Sequence, residues 1–174
     1  MRKSWKIRLA STPTENQAGS TPTTDDSHSA APLSVAEELD RARAYLEAII
    51  ANSEDVILSK TLDGIVTTWN AAAERLFGYT AAEMIGQSIL LVIPPELSQQ
   101  EHEILARLRR GERIERLETI RVHKDGSRIE VSLTVSPIRD SSGAIVGAAK
   151  IAHDITERRS TERALKEEVS AMET

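Results

Sequence analysis

Four histidines and no cysteine limit the chemistry open to this 174-residue chain. Without cysteine there are no disulfides, no thiolate metal ligands and no cysteine nucleophile. His28 falls in a Ser/Thr/Pro stretch and His123 precedes the turn Lys124-Asp125-Gly126, so both are expected in solvent. His153 stands beside Asp154, as a surface residue or at the hand-over from a strand to a linker. His102 is the candidate with more reach. It lies in a helical stretch between Glu101 and Glu103, three residues before Leu105, near the apolar stripe of Ile104, Leu105 and Leu108. The plain alternative is a histidine on the helix surface, and Glu101 and Glu103 are read as lying off the apolar face. The carboxylates Glu74, Glu83, Asp125 and Asp140 each fall in a cap, a turn or a solvated helix face. No glycine-rich phosphate loop, metal-spaced histidine pair or GxSxG elbow is present. No catalytic residue and no metal site is assigned.

The elements that must position these groups are clearest in Leu62 to Gly86, LDGIVTTWNAAAERLFGYTAAEMIG. Asp63-Gly64 supplies a tight turn, and the β-branched and aromatic run Ile65 to Trp69 suits a strand. Asn70 is placed to cap a helix through Ala71 to Leu76, Gly78 stops it, and Thr80-Ala81-Ala82-Glu83 fits a capping box. Further on, Pro94-Pro95 breaks an apolar stretch ahead of a helix over Leu97 to Arg110. Three strands are expected at Ile114 to His123, Ser127 to Arg139 and Ala144 to Asp154, joined by Asp/Gly turns. In the second, Ile129, Val131, Leu133 and Val135 face one way and Glu130, Ser132, Thr134 and Ser136 the other. The order of elements predicts an α+β fold, a five-stranded antiparallel sheet with helices on one face, flanked by N- and C-terminal helices.

Two segments, DGIVTTWNAAAERLFGYTAAEMIGQ and KDGSRIEVSLTVSPIRDSSGAIVGAAKIAHDIT, resemble in order the front and back halves of a PAS domain of the bacterial sensor-kinase type. The resemblance covers about Leu46 to Glu157. It implies a small cavity between sheet and helices, lined here by Val56, Leu58, Ile65, Leu76, Phe77, Met84, Leu91, Ile104, Leu105, Leu108, Leu133 and Val135. The same residues would serve a filled core, and dense interiors favour that reading with no cofactor. Relatives fill that cavity with haem, flavin or a small acid. Haem-binding members present their iron ligand from the longer helix, which makes His102 the candidate axial ligand, although the approximate register against that pattern puts Glu101 at the ligand position. A non-covalent flavin stays open, whereas a cysteinyl-flavin is excluded by composition. The resemblance further implies that Asp154 and Thr156, in the exit motif Asp154-Ile155-Thr156, hold the strand end to a linker helix.

Residues 1–33 are expected to form a flexible tail behind the basic leader MRKSWKIRLA, because they lack the apolar residues that offset ordering. A second capping box, Ser34-Val35-Ala36-Glu37, opens an amphipathic helix over 34–50 with Val35, Leu39, Leu46, Ile49 and Ile50 on one stripe. That stripe suits either its own sheet or a second copy of the chain. Residues 51–157 form the PAS domain, and 158–174 a linker helix or the start of a coiled coil, with Leu165, Val169 and Met172 at the required spacing. Five aromatic residues and a net charge of −5 give no footprint for nucleic acid, and no apolar run is long enough to span a bilayer.

The resulting expectation is a cytoplasmic sensory or protein-interaction module, the input domain of a two-component histidine kinase or similar signalling protein. A homodimer would form through the flanking helices, with catalysis in a downstream domain or partner kinase. The alternatives are a haem-bound gas sensor using His102 and a ligand-free dimerisation domain.

Overall fold

The computed structural model describes residues 33–172. The stretch read as a flexible tail, up to residue 32, lies outside them. Ser34 opens α1 (Val35–Ala51): its hydroxyl accepts from the Glu37 N–H at 3.3 Å, while the Glu37 carboxylate accepts from the Ser34 N–H at 2.7 Å. None of the residues of α1 is buried. Two strands follow, β1 (Val56–Lys60) and β2 (Val66–Trp69).

Asn70 then does more than cap α2 (Ala71–Phe77). Its Oδ1 accepts from Ala73 N–H at 3.0 Å and from Ile57 N–H at 3.1 Å, and its Nδ2 donates to the carbonyls of Asp55 at 3.0 Å and Ile50 at 3.1 Å. One buried amide therefore ties the end of α1, β1 and α2 together. Gly78 ends α2 at φ +77°, and a Cβ there would lie 2.5 Å from the His123 ring, so both backbone and space require glycine. Thr80 and Glu83 close their capping box on α3 (Ala81–Met84). Two short 3₁₀ turns, Ile89–Val92 and Pro95–Leu97, lead into α4 (Ser98–Arg109).

The remaining strands are β3 (Ile114–Val122), β4 (Arg128–Arg139) and β5 (Ile145–Asp154), and α5 (Thr156–Met172) leaves the sheet. Strand order is β2-β1-β5-β4-β3, antiparallel throughout. This is the α+β layout expected from the alternation in β4. Its inner residues Ile129, Val131, Leu133 and Val135 are buried with Phe77, Met84, Ile104, Leu105 and Leu108 in one core.

Three expectations shift. Ile65 is not core: β2 begins one residue later, its pairing with β1 carries a bulge at Ser59/Lys60, and Val66 takes the inward place. Leu91 is 48% exposed, because the near three-residue repeat of its 3₁₀ turn sends Ile89 and Val92 inward instead. The exit helix starts at Thr156 rather than 158: the Ile155 carbonyl accepts its first helical bond, from the Arg159 N–H at 2.9 Å, and the Asp154 carboxylate accepts from the free Thr156 N–H at 2.9 Å.

Candidate functional site

Beneath α4 the core is interrupted by charge. Lys60 on β1, Glu101 on α4, Arg121 on β3 and Lys150 on β5 are each only 1–2% exposed. The register explains how the lysines meet: Lys60 lies opposite Ala148 and Lys150 opposite Leu58, so the two are diagonal neighbours on the inner face. Alanines 148 and 152 on either side of Lys150 leave room for the long side chains. Glu101 reaches down from the first turn of α4 between them, with Lys150 Nζ donating to its Oε2 at 2.8 Å and Lys60 Nζ paired with its Oε1. Arg121 Nη1 donates to the Ile120 carbonyl at 2.7 Å and stands 3.4 Å from Thr119 Oγ1 and 3.5 Å from Gln100 Oε1. Its Nη2 is buried and has no hydrogen-bond partner among the described residues.

Two lysines thus hold a single carboxylate in a nearly water-free space, with Arg121 near enough to repel both. Loss of hydration drives both lysines well below the ordinary lysine range. Repulsion from Lys150 and Arg121 adds to the fall at Lys60, and repulsion from Arg121 adds to it at Lys150. Burial likewise lowers Arg121, to about 10, which leaves it charged at neutral pH.

Of the lining residues expected from sequence, Leu58, Phe77, Met84, Ile104, Leu105, Leu108, Leu133 and Val135 are buried here, and Leu76 is half-buried against them. His102 is not among them. With Glu101, Ile104, Leu105 and Leu108 turned inward, a rotation of about 100° per residue carries position 102 to solvent, where its Nδ1 lies 2.8 Å from the Ser98 carbonyl. The reading of Glu101 as a residue off the apolar face is corrected by the same geometry. Positions 101, 104, 105 and 108 follow the i, i+3, i+4, i+7 spacing, and Lys60 and Lys150 fall in phase with Val56, Leu58, Ala148 and Ala152. That signal was present in the sequence and was masked by the charge of the residues carrying it. Among the described residues, no group of three or more His, Asp or Glu side chains could hold a metal ion.

The second notable region is the exit. Besides the Asp154 bond to Thr156, Thr156 Oγ1 accepts from the Glu130 N–H at 3.1 Å, and the Ile155 N–H donates to the Glu130 carbonyl at 2.9 Å. The first turns of α5 are further tied to the sheet by ion pairs of Arg158 and Arg159 with Glu118 and of Arg163 with Glu130. An open groove of about 380 Å³ runs between α4, β3 and α5, and Gln100, Thr119, Arg159 and Arg163 are among its walls.

Residues 44–155 match the PAS fold family. The chain belongs to that family. Within it, the chain is 33% identical over 129 residues to the signal transduction histidine-protein kinase AtoS of Escherichia coli, covering 74% of this chain and 21% of the kinase. It is 31% identical over 135 residues to two-component system protein A of Emericella nidulans, covering 73% and 19%. The chain therefore spans about a fifth of the length of these curated relatives. Among solved structures, the PAS domain of a protein from Colwellia psychrerythraea superposes with a TM-score of 0.60 at 27% identity, over 68% of this chain and 98% of that one. The PAS domain of an HTR-like protein from Haloarcula marismortui, at 24% identity and a TM-score of 0.57 over 69% and 97%, shares the fold. PAS domains are sensory modules and in general not catalytic, and no described helix is long and apolar enough to cross a membrane.

Proposed function

We infer that this PAS segment is the input of a multidomain signalling protein whose output is a histidine kinase, carried on the same polypeptide or on a partner. The observation that bears most weight is the continuity at Asp154. The strand that carries Lys150 in the core ends at Asp154, whose carboxylate accepts from the first N–H of α5, with one residue between strand and helix. A change in the core thus has a short covalent path to the helix that leaves the domain. The relationship to AtoS supports a kinase as the output.

Signalling then works as a population shift. A stimulus that interacts unequally with two arrangements of the core biases β5, and α5 changes its angle or register. Homodimerisation supplies the frame for such a change. On α1, Val35, Leu39, Leu46 and Ile49 are more than half exposed, and on α5 Leu165, Val169 and Met172 form a second uncovered stripe. Helices with one apolar stripe gain stability by pairing it. Catalysis belongs to the output, and the module is read as lying with it in the cytoplasm.

The test is a chimera in which residues 33–172 replace the matching PAS segment of an AtoS-type kinase. Autophosphorylation that depends on the inserted module, and that Asp154→Ala uncouples while the fold is retained by circular dichroism, is the expected result. A kinase rate indifferent to both the insert and the substitution would overturn the reading. Sedimentation of the purified chain as a monomer at all accessible concentrations would remove the dimer from it.

A further inference from the structure

We propose that Lys60 is a covalent modification site for carbon dioxide, which its buried amine takes up reversibly as a carbamate paired with Lys150. The modification stands by itself, and only its role as a stimulus rests on the sensory reading.

The placement of the two lysines defines the chemistry. Lys60 Nζ is fully buried and in contact with Glu101 Oε1, while Lys150 Nζ, from the adjacent strand, donates to Glu101 Oε2 at 2.8 Å. Loss of hydration, with Lys150 and Arg121 close by, keeps the Lys60 amine uncharged at neutral pH. A desolvated, uncharged lysine amine is a nucleophile toward an electrophilic carbonyl carbon. Lys124 and Lys166 lie at the surface and lack this dry setting. Carbon dioxide enters uncharged and becomes an anion only where the cations stand. The Nζ lone pair forms the new N–C bond, one C=O π pair moves onto oxygen, and the proton released from nitrogen passes to the Glu101 carboxylate beside it. One amine and one carbon dioxide thus give one carbamate and one proton. The new anion has Lys150 next to it, and Arg121, near enough to repel both lysines, is near enough to attract it. Charge-assisted pairing with an ammonium stabilises such an oxyanion.

Proton transfer also frees Glu101. Once protonated it no longer holds Lys150 as a carboxylate does, and the carbamate takes its place while Glu101 carries the proton out to water. Its position permits this: it lies in the first turn of α4, which begins without a side-chain cap, so that turn opens at less cost than the helix interior. The adjoining Gln100 is a wall of the open groove that has Arg159 and Arg163 of α5 on its other side. Withdrawal of Glu101 therefore disturbs a wall shared with the exit helix, and β5 runs from Lys150, the carbamate's new partner, directly to Asp154.

Carbon nuclear magnetic resonance of the full chain under isotopically labelled carbon dioxide and bicarbonate, at constant pH, tests the assignment. The amino terminus of the purified chain, an ordinary exposed amine, serves as the positive control for carbamate formation. A further carbamate resonance is expected, absent from Lys60→Met and weakened roughly tenfold in Lys150→Met, which lacks the charged partner. Lys60→Gln replaces Lys60→Met should the latter fail to give a cooperative melt. If no carbamate resonance is lost on substituting Lys60 in a folded variant, the proposal is overturned, whether because none formed or because it sits on another amine. A resonance of equal strength in folded Lys150→Met overturns the pairing with Lys150. In the kinase chimera, raising carbon dioxide at constant pH should change autophosphorylation, and Lys60→Met should abolish that response. A carbamate on Lys60 with a kinase rate indifferent to carbon dioxide overturns the stimulus. A kinase that follows the insert while no carbamate forms overturns the modification and leaves the sensory reading standing.

Discussion

Glu101 and Lys150, 49 positions apart in sequence, meet at 2.8 Å between α4 and the sheet, with both side chains almost fully buried. Lys60 completes the contact from the neighbouring strand. An ion pair in this setting fixes geometry more than it adds stability, because removing the charges from water costs about as much as their attraction returns.

That balance makes the cluster sensitive to how it is broken. Glu101→Ala leaves the cations facing one another with no carboxylate, and should lower unfolding stability by about 3–5 kcal/mol. Replacing the triad together by Lys60→Met, Glu101→Leu and Lys150→Met should be neutral or stabilising by about 1–4 kcal/mol. Chemical denaturation of the two variants against the natural chain checks both signs. A mild effect of Glu101→Ala would show that water reaches the cluster.

Stability should depend on pH in a direction opposite to that of a surface lysine pair. The folded-state values of Lys60 and Lys150 lie below the ordinary 10.5, with burial as the main cause. Between the depressed value and 10.5 the unfolded chain binds more protons than the folded one, so stability contributed at these positions rises with pH across that window and is least below it. Compared with Lys150→Met, the natural protein should gain up to about 1.4 kcal/mol per pH unit on going from neutral to mildly alkaline solution. Parallel denaturation curves at the two conditions measure the difference, and a flat difference would mean that Lys150 keeps its proton throughout.

Asn70→Ala should cost more than a helix cap. The cap alone is worth about 1 kcal/mol, but the amide also accepts from Ile57 N–H and donates to Asp55 and Ile50. Leaving those groups unpaired brings the expected loss to about 2–4 kcal/mol. Thermal melts decide it, and a loss confined to the cap value would mean that water replaces the other three bonds.

Asp154→Ala removes the acceptor of the first N–H of α5 while leaving the core untouched, so a loss of only about 0.5–1.5 kcal/mol is expected. Amide exchange in the first turn of α5 should accelerate while exchange in β4 and β5 stays slow. Unchanged exchange at Thr156 and Glu157 would show that the Arg158, Arg159 and Arg163 ion pairs suffice to hold the helix.

The sequence by itself determined the elements and their order. Alternation in Ile129 to Val135, the capping pairs Ser34/Glu37 and Thr80/Glu83, and the turns at Gly64, Gly78 and Gly126 are local signals, each acting within a few residues, and the sheet and helices follow from them. Only the tertiary structure decided which charged residues are inside. Glu101 is in phase with Ile104, Leu105 and Leu108, and Lys150 with Ala148 and Ala152, but a charged side chain is tolerated in a core only when a partner from another element meets it. Lys60, Glu101, Arg121 and Lys150 come from three strands and a helix, and no periodicity within one element records that they converge. His102 shows the converse: a residue of suggestive chemistry whose direction was settled by its neighbour, because once Glu101 turned toward the lysines the next position on the helix had to face water.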